Sequence, residues 1–515
     1  MQYKSFIFLL LSIELYVLPG NNAARILCIF QMPAVSHQAT FKPISRALSL
    51  RGHEVIAVTP HPINDPTLVN LTEIDTSRAT YEIILRHGFE FFMSKELPVQ
   101  SKIPKIFAMY YEFAHVILGN EQFKKIYQEQ HFDLIISQIY ISPIMFALSA
   151  KLNTPIIGVS SMGGWSGTHV AAGNPNPPAL YSEMFLHYNG DLTFYERLKS
   201  TLYFLWSRFY IYFIAMPKCD AIARKFLGPD LPYLADIERN VSAYFLNINP
   251  ILYTPRPMVP TVVPLSFMHI QPKKDLPEDI KQEVESSKNG VIYFSLGSNV
   301  KSINIPQRVR NLLMEAFSEL PYKILWKFEN EELPGKPANV IIRKWLPQQD
   351  VLAHSNVKVF VSQCGLQSTE EAIDREIPMV GIPFIADQEM NGIRLAKWGV
   401  LKYIDYLNTT KEELKNAIIE VAENPIYREN MKKLKKLMQD EPMTGIEKVI
   451  WWAEYTIRHK GTRHLRSPTV DIEWYKYFLL DVFGILILGV ICLGMLVRML
   501  IKCYIKDKKG KVKKS

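Results

Sequence analysis

The stretch Phe360-Val-Ser-Gln363-Cys-Gly365-Leu-Gln367-Ser368-Thr-Glu-Glu371 sets amide, hydroxyl and carboxyl side chains around a glycine turn. An apolar strand ends there, and Ser368 is expected to open a helix. Unpaired backbone N–H groups at a helix start favour a phosphate. Another apolar strand, Pro378–Pro383, leads on to Asp387 and Gln388. These two put a donor and acceptors into the same place, and sugar hydroxyls need both. Together the residues read as a phosphate-plus-polyol pocket. No Gly-x-Gly-x-x-Gly follows the first strand, and no Walker-type Gly-Lys-Ser/Thr, His-Glu-x-x-His or paired Cys-x-x-Cys motif occurs. A dinucleotide dehydrogenase, a P-loop enzyme and a zinc enzyme are therefore set aside.

The elements that must position this pocket read as two α/β halves. In the first, Arg25–Phe30 is a short apolar run, Gln31–Gln38 a polar loop, and Phe41, Ile44, Leu48 and Leu50 recur at helical spacing. Arg51-Gly52-His53 ends that helix, and Val55–Val58 is the next strand. Leu134–Ser137, the helix Ile144–Leu152 and Pro155–Val159 repeat the pattern. In the second half, Val291–Leu296, Ile324–Trp326, Val340–Arg343 and Val357–Ser362 are strands separated by helical stretches, including Leu312–Leu320 and Ser368–Asp374. Alternating strands and helices predict parallel sheets. Residues 254–277 contain six prolines and read as a linker. The expected architecture is two Rossmann-like, doubly wound domains, with ligands at the carboxyl ends of the strands.

Length and composition agree with this. The 515 residues are 48% hydrophobic and 21% charged, which suits several globular domains and excludes a disordered chain. Of the net charge of +9, residues 502–515 supply six, from seven Lys and one Asp. The basicity is a tail property, and nucleic acid is not an expected partner. Cys28, Cys219 and Cys364 allow one bridge at most in the body.

Both ends carry membrane signals. Residues 1–22 read as a signal peptide, with Lys4 before an apolar run that Pro19 and Gly20 end. Residues 477–501 read as a transmembrane helix, with Trp474, Tyr475 and Tyr477 at one edge and lysines at the other. The tail 502–515 is then cytoplasmic, and Lys511 and Lys513 resemble a dilysine retrieval signal of the endoplasmic reticulum. Sequons at Asn70, Asn240 and Asn408 lie between the two signals, as glycosylation in a lumenal body requires. The expected domains are 23–253, the linker 254–277, and 278–470. The aromatic stretch Phe194–Met216 reads as an acceptor-pocket wall, an interfacial helix or core.

Residues 360–388 resemble the signature of the UDP-glycosyltransferase family, in particular its membrane-bound animal, insect-type members, with the spacing intact. Trp345-Leu-Pro347-Gln348 is similar to the family's uracil motif, and Phe294-Ser-Leu-Gly297-Ser298 to its first donor-domain loop. The resemblance implies a GT-B fold, two such domains facing across a cleft, with the acceptor bound by 23–253 and the UDP-sugar donor by 278–470. It implies that Trp345 stacks on uracil, that Gln348 bonds its edge and that Glu371 accepts from the ribose. Ser298, Gln363 and Ser368 would contact the diphosphate beside Gly365 and Gln367, and Asp387 and Gln388 would hold the sugar. His37, in the loop after the first strand, stands where the family keeps its catalytic base.

Two departures stand out. Gln363 occupies a position that is often His in the family. The Asp that orients the family's base would fall at Gln138, or in some members at Pro143, and neither is acidic. Gln138 is expected to accept a hydrogen bond from His37 without neutralising an imidazolium. The resulting expectation is inverting transfer of a hexose, most simply from UDP-glucose, to a hydroxyl of a small lipophilic acceptor. This would be a detoxifying conjugation at the endoplasmic-reticulum membrane, with no cofactor or metal. The alternative is a catalytically weakened member that binds lipophiles. Glucuronic acid as the sugar, the acceptor's identity and a homo-oligomer stay open.

Overall fold

A computed structural model describes residues 23–512, apart from 89–96, 187, 189 and 386. The expected signal peptide, 1–22, lies outside the described residues, as do the last three residues of the tail. The chain divides into two compact units between Leu465 and Arg466.

The first unit holds two all-parallel sheets. One has seven strands in the order β3-β2-β1-β4-β5-β6-β7. These are β1 (Arg25–Ile29), β2 (Glu54–Thr59), β3 (Leu71–Asp75), β4 (Leu134–Gln138), β5 (Ile156–Ser160), β6 (Ala243–Asn247) and β7 (Val262–Leu265). The other has six, in the order β10-β9-β8-β11-β12-β13. They are β8 (Val291–Ser295), β9 (Lys323–Lys327), β10 (Val340–Arg343), β11 (Val357–Ser362), β12 (Met379–Gly381) and β13 (Leu401–Tyr403). The central strands are apolar runs because helices cover both faces: Ile26, Leu27, Cys28 and Ile29 are all buried. In each sheet the strand order reverses once, between β1 and β4 and between β8 and β11. Side chains just past these strands project into a crevice.

Four elements matter most for the site. Helix α1 (Val35–Leu50) follows β1 and carries His37 in its first turn. Helix α2 (Leu366–Asp374) follows β11, and α3 (Gln388–Lys397) follows β12. Helix α4 (Gly445–Arg458) belongs by sequence to the second half, yet Val449 and Ala453 lie in one buried cluster with Ile26, Cys28 and Phe245 of the first sheet. Arg51 reaches Glu454 at 2.8 Å across the same contact.

Three sequence expectations need correction. The span 254–277 is more than a linker, since β7 lies within it and pairs with β6. Its proline signal misled because Pro264 sits in an edge strand, where a missing N–H costs little. The domain 278–470 is not separate along its whole length, because α4 closes the core of the first sheet. Ser368 does not open its helix: Gly365 is the N-cap and Ser368 is the third helical residue. Cys28, Cys219 and Cys364 are each buried and unbridged.

The aromatic stretch 194–216 is one helix from Phe194 to Tyr210 that continues through a π-turn, Ile211–Ala215. Tyr203 and Ile211 join the first core, whereas Phe194, Leu202, Phe209 and Phe213 are exposed. None of these residues lines either cavity described below; one face of the stretch is core and the other is exposed.

In the second unit, helix α5 (Leu480–Val512) begins three residues later than the expected span. A short helix, Trp474–Tyr477, precedes it, and Leu479 at φ 53° breaks the two apart. Within α5, Leu480–Ile505 is long and apolar enough to cross a membrane.

Candidate active site

The carboxyl ends of both sheets face one cleft, a cavity of about 420 Å³. His37 and all ten residues expected to hold the donor line it.

On the second-sheet wall, the polar side chains are fastened to one another. Gln348 donates from Nε2 to Ser368 Oγ at 2.9 Å and to Glu371 Oε2 at 2.5 Å, and it accepts from the Tyr293 hydroxyl at 3.0 Å. Glu371 also accepts from Gln349 at 3.2 Å and lies 3.4 Å from His269 Nε2. Burial opposes charge on His269, but its bond to Glu371 and the charges of Glu371 and Glu370 outweigh that and push its pKa up. Burial raises Glu370 to about 7. Trp345, at 64% exposure, presents an indole to the cleft, as a stacking base requires.

The end of the cleft expected to take the diphosphate is a backbone feature. Cys364 has φ 67°, Gly365 caps α2, and among the described residues no side-chain cap bond is made at the start of that helix. Such a turn gathers successive N–H groups into an anion nest. Gln363 is buried beside it, held by the Ser362 hydroxyl at 3.1 Å. A Cβ on Gly297 would fall 2.2 Å from Gln363 Nε2, and Gly297 has φ 76°, so only glycine fits there. Ser298 follows it on the cleft wall. Gln388 spends its amide oxygen on the N–H groups of Phe384 and Ile385, both at 2.9 Å, which leaves its amide nitrogen as the donor. Burial raises the pKa of Asp387, while Asn391 bonds it at 2.8 Å. Gln367 lines the cleft but crosses it: its amide donates to Ser161 O at 3.0 Å, tying the two walls together.

On the first-sheet wall, His37 Nδ1 lies 2.5 Å from the hydroxyl of Ser161, just past β5. Burial holds the imidazole low, at about 4, so the ring is neutral near pH 7. In the tautomer that gives Nδ1–H to Ser161, Nε2 keeps a lone pair for a proton. The expectation for Gln138 is corrected: its amide oxygen accepts from the backbone N–H groups of Gln31 and Met32 at 2.7 and 2.9 Å. It pins the loop that leads to His37 and leaves the ring to Ser161. Pro143 heads a short helical turn and lines neither cavity.

A family model described as UDP-glucoronosyl and UDP-glucosyl transferase matches residues 25–515. The chain belongs to this family. It is an enzyme, a UDP-glycosyltransferase, with the two-domain GT-B architecture. It is 30% identical to UDP-glucosyltransferase 2 of Dactylopius coccus, with 100% of both chains covered. It is 29% identical to human UDP-glucuronosyltransferase 2B7, over 92% of this chain and 93% of that one. Among solved structures, the glycotransferase of kitacinnamycin superposes with TM-score 0.56 at 17% identity, covering 85% of this chain and 100% of its own. The glycosyltransferase VinC, in complex with DTDP, superposes with TM-score 0.54 at 14% identity, over 84% and 100%. At such identities the two structures speak to the fold alone.

Sequence reasoning missed several residues of this glycosyltransferase cleft. Ser161 gave no signal, since a serine after a strand is common. Lys327, at the carboxyl end of β9, lines the cleft and donates to Gly297 O at 3.0 Å, and its place at a strand end was a usable clue. Asn299 crosses the cleft to Ser36 at 3.2 Å. His269, in what read as linker, does not line the cleft but stands behind its wall against Glu371. Asn70, Asn240 and Asn408 are all exposed at the surface.

Proposed function

We propose that this UDP-glycosyltransferase moves a hexose, glucose first, from its UDP donor to a hydroxyl of a small lipophilic molecule, inverting the anomeric carbon. The observation that carries this is the shared cleft: a neutral His37 faces the helix start at Gly365 across one cavity. The acceptor oxygen attacks the anomeric carbon and gives its proton to His37 Nε2. The bond to the diphosphate breaks on the opposite side. Charge building on the leaving diphosphate meets the N–H groups of α2 and the Gln363 amide, which are already in place. Trp345 and Glu371 hold the uridine, and Asp387 and Gln388 the sugar. No metal takes part. The body lies in the lumen of the endoplasmic reticulum, anchored by α5 and glycosylated at the three exposed sequons, and the activity serves detoxification.

Microsomes bearing the full chain test this. They receive UDP-glucose, UDP-glucuronic acid or UDP-N-acetylglucosamine with a panel of phenols, and products are read by mass spectrometry. Glucose conjugates that vanish in His37→Ala support the reading. Conjugates from UDP-glucuronic acid alone would replace the sugar. No conjugates while UDP still raises the melting temperature would leave a lipophile-binding protein in its place.

A further inference from the structure

A second cavity, of about 380 Å³, adjoins the cleft: Tyr140, Met162 and Asp387 belong to the walls of both. It is built by the loop after β5, which runs through Trp165 and Ser166, and by residues 180–184 and 253–258. Its surface is largely apolar, yet it encloses a carboxyl group. Glu183 is 5% exposed. One of its oxygens accepts from the Ser166 hydroxyl. Arg208 and Arg256 favour its charge from a distance. Burial outweighs them and raises its pKa to about 7. The neighbouring Trp165, 6% exposed, has an indole N–H with no partner among the described residues. His169, on the same wall, is occupied by Asn174 at 3.0 Å. Arg256 and Arg394 are stacked on Tyr181 and Tyr253, at 4.1 and 4.4 Å from the ring centres.

A buried carboxyl on an apolar cavity wall, held only by the Ser166 hydroxyl, is costly unless a ligand donates to it as well. A ligand hydroxyl does so by donating to Glu183. We propose that this cavity holds the end of the acceptor remote from the reacting oxygen, and that Glu183 selects acceptors carrying a second hydroxyl there. The inference rests on the proposed acceptor class and narrows it to lipophilic diols. A protonated amine is disfavoured by the two guanidinium groups on the wall.

Two acceptors isolate the effect: 4-cumylphenol and bisphenol A differ only in one remote hydroxyl. After division by two for its equivalent hydroxyls, bisphenol A is expected to show a kcat/KM at least about tenfold higher, and Glu183→Leu to cut that ratio below about threefold. Ser166→Ala, which removes the partner of Glu183, should lower the ratio part of the way. UDP-dependent thermal stabilisation confirms that each variant is folded. A wild-type ratio below threefold overturns the proposal, and so does a ratio that survives Glu183→Leu. If neither phenol is turned over, calorimetry on the detergent-solubilised, UDP-saturated full chain gives the same ratio from Kd. A preference in binding then upholds the site while counting against the proposed transfer, and equal binding overturns the site. Tighter binding of a 4-cumylphenol analogue bearing a remote carboxylate would also overturn it, in favour of Arg256 and Arg394.

Discussion

The two walls of the cleft are built on different principles. On the second-sheet wall, Gln348, Ser368, Glu371, Gln349 and Tyr293 hold one another by hydrogen bonds. On the first-sheet wall, His37 and Ser161 form one polar pair among Met32, Val35, Met109 and Tyr140. A wall of interlocked polar groups suits a single ligand whose every oxygen is known in advance. An apolar wall with one base suits many ligands that share only a hydroxyl. Substitutions on the two walls should therefore fail differently, one in donor affinity and the other in turnover.

The largest effect is expected from His37→Ala. Loss of a general base lowers kcat by about 10²- to 10⁴-fold. UDP should still raise the melting temperature as in the wild type, and a loss of that shift would break the division between the walls. Next comes Gly297→Ala, on the other side. The new methyl group must displace Gln363, and the backbone at φ 76° resists any Cβ, at a cost of about 1–3 kcal/mol. UDP affinity, read by calorimetry, should fall by roughly 5- to 150-fold at that cost, while the chain stays folded. Unchanged affinity would show that Gln363 is not held where the diphosphate binds.

Ser161→Ala is smaller. It removes one hydrogen bond to the base, worth about 1 kcal/mol, so kcat should fall roughly fivefold with the KM for the UDP-sugar unmoved. A fall in donor affinity instead would mean that the contact from Gln367 to Ser161 matters more than the one to His37.

The smallest effect concerns pH. Glu371 and Glu370 raise the pKa of His269 against the effect of burial. Stability from a raised His pKa is complete below the unfolded value, about 6.5, and is lost as pH rises through the folded value. The gap in melting temperature between wild type and His269→Gln should therefore be wider at pH 6 than at pH 9. A gap that widens on going alkaline would show that His269 is held low, and that Glu371 owes it nothing.

The contrast between the walls also decides how much could be read from sequence. The second-sheet wall was legible because its parts are local. Gln363, Gly365, Ser368 and Glu371 lie within one strand-turn-helix, and fixed spacing is itself information. Central strands such as β1 and β11 were legible as apolar runs, for burial on both faces leaves little choice of residue. Other features depend on pairings at long range. Ser161 stands 124 residues from His37, and nothing in either neighbourhood announces the other. Gln138 looked like a failed partner for the base because composition does not show that two backbone N–H groups need its oxygen. Edge strand β7 hid behind its prolines, which an edge tolerates.

The position of α4 has a consequence for how the chain is made. The apolar face of the first sheet that Val449 and Ala453 cover is complete in every strand once Leu265 has been synthesised. Its cover begins at Gly445, 180 residues later. At typical rates of synthesis that face waits on the order of 10–40 s without its helix. During that interval it is an exposed oily surface on an otherwise folded half, the kind of surface to which folding helpers bind. A chain truncated anywhere between Leu265 and Gly445 never leaves that state, so its first domain is an aggregation hazard however well its own strands pair.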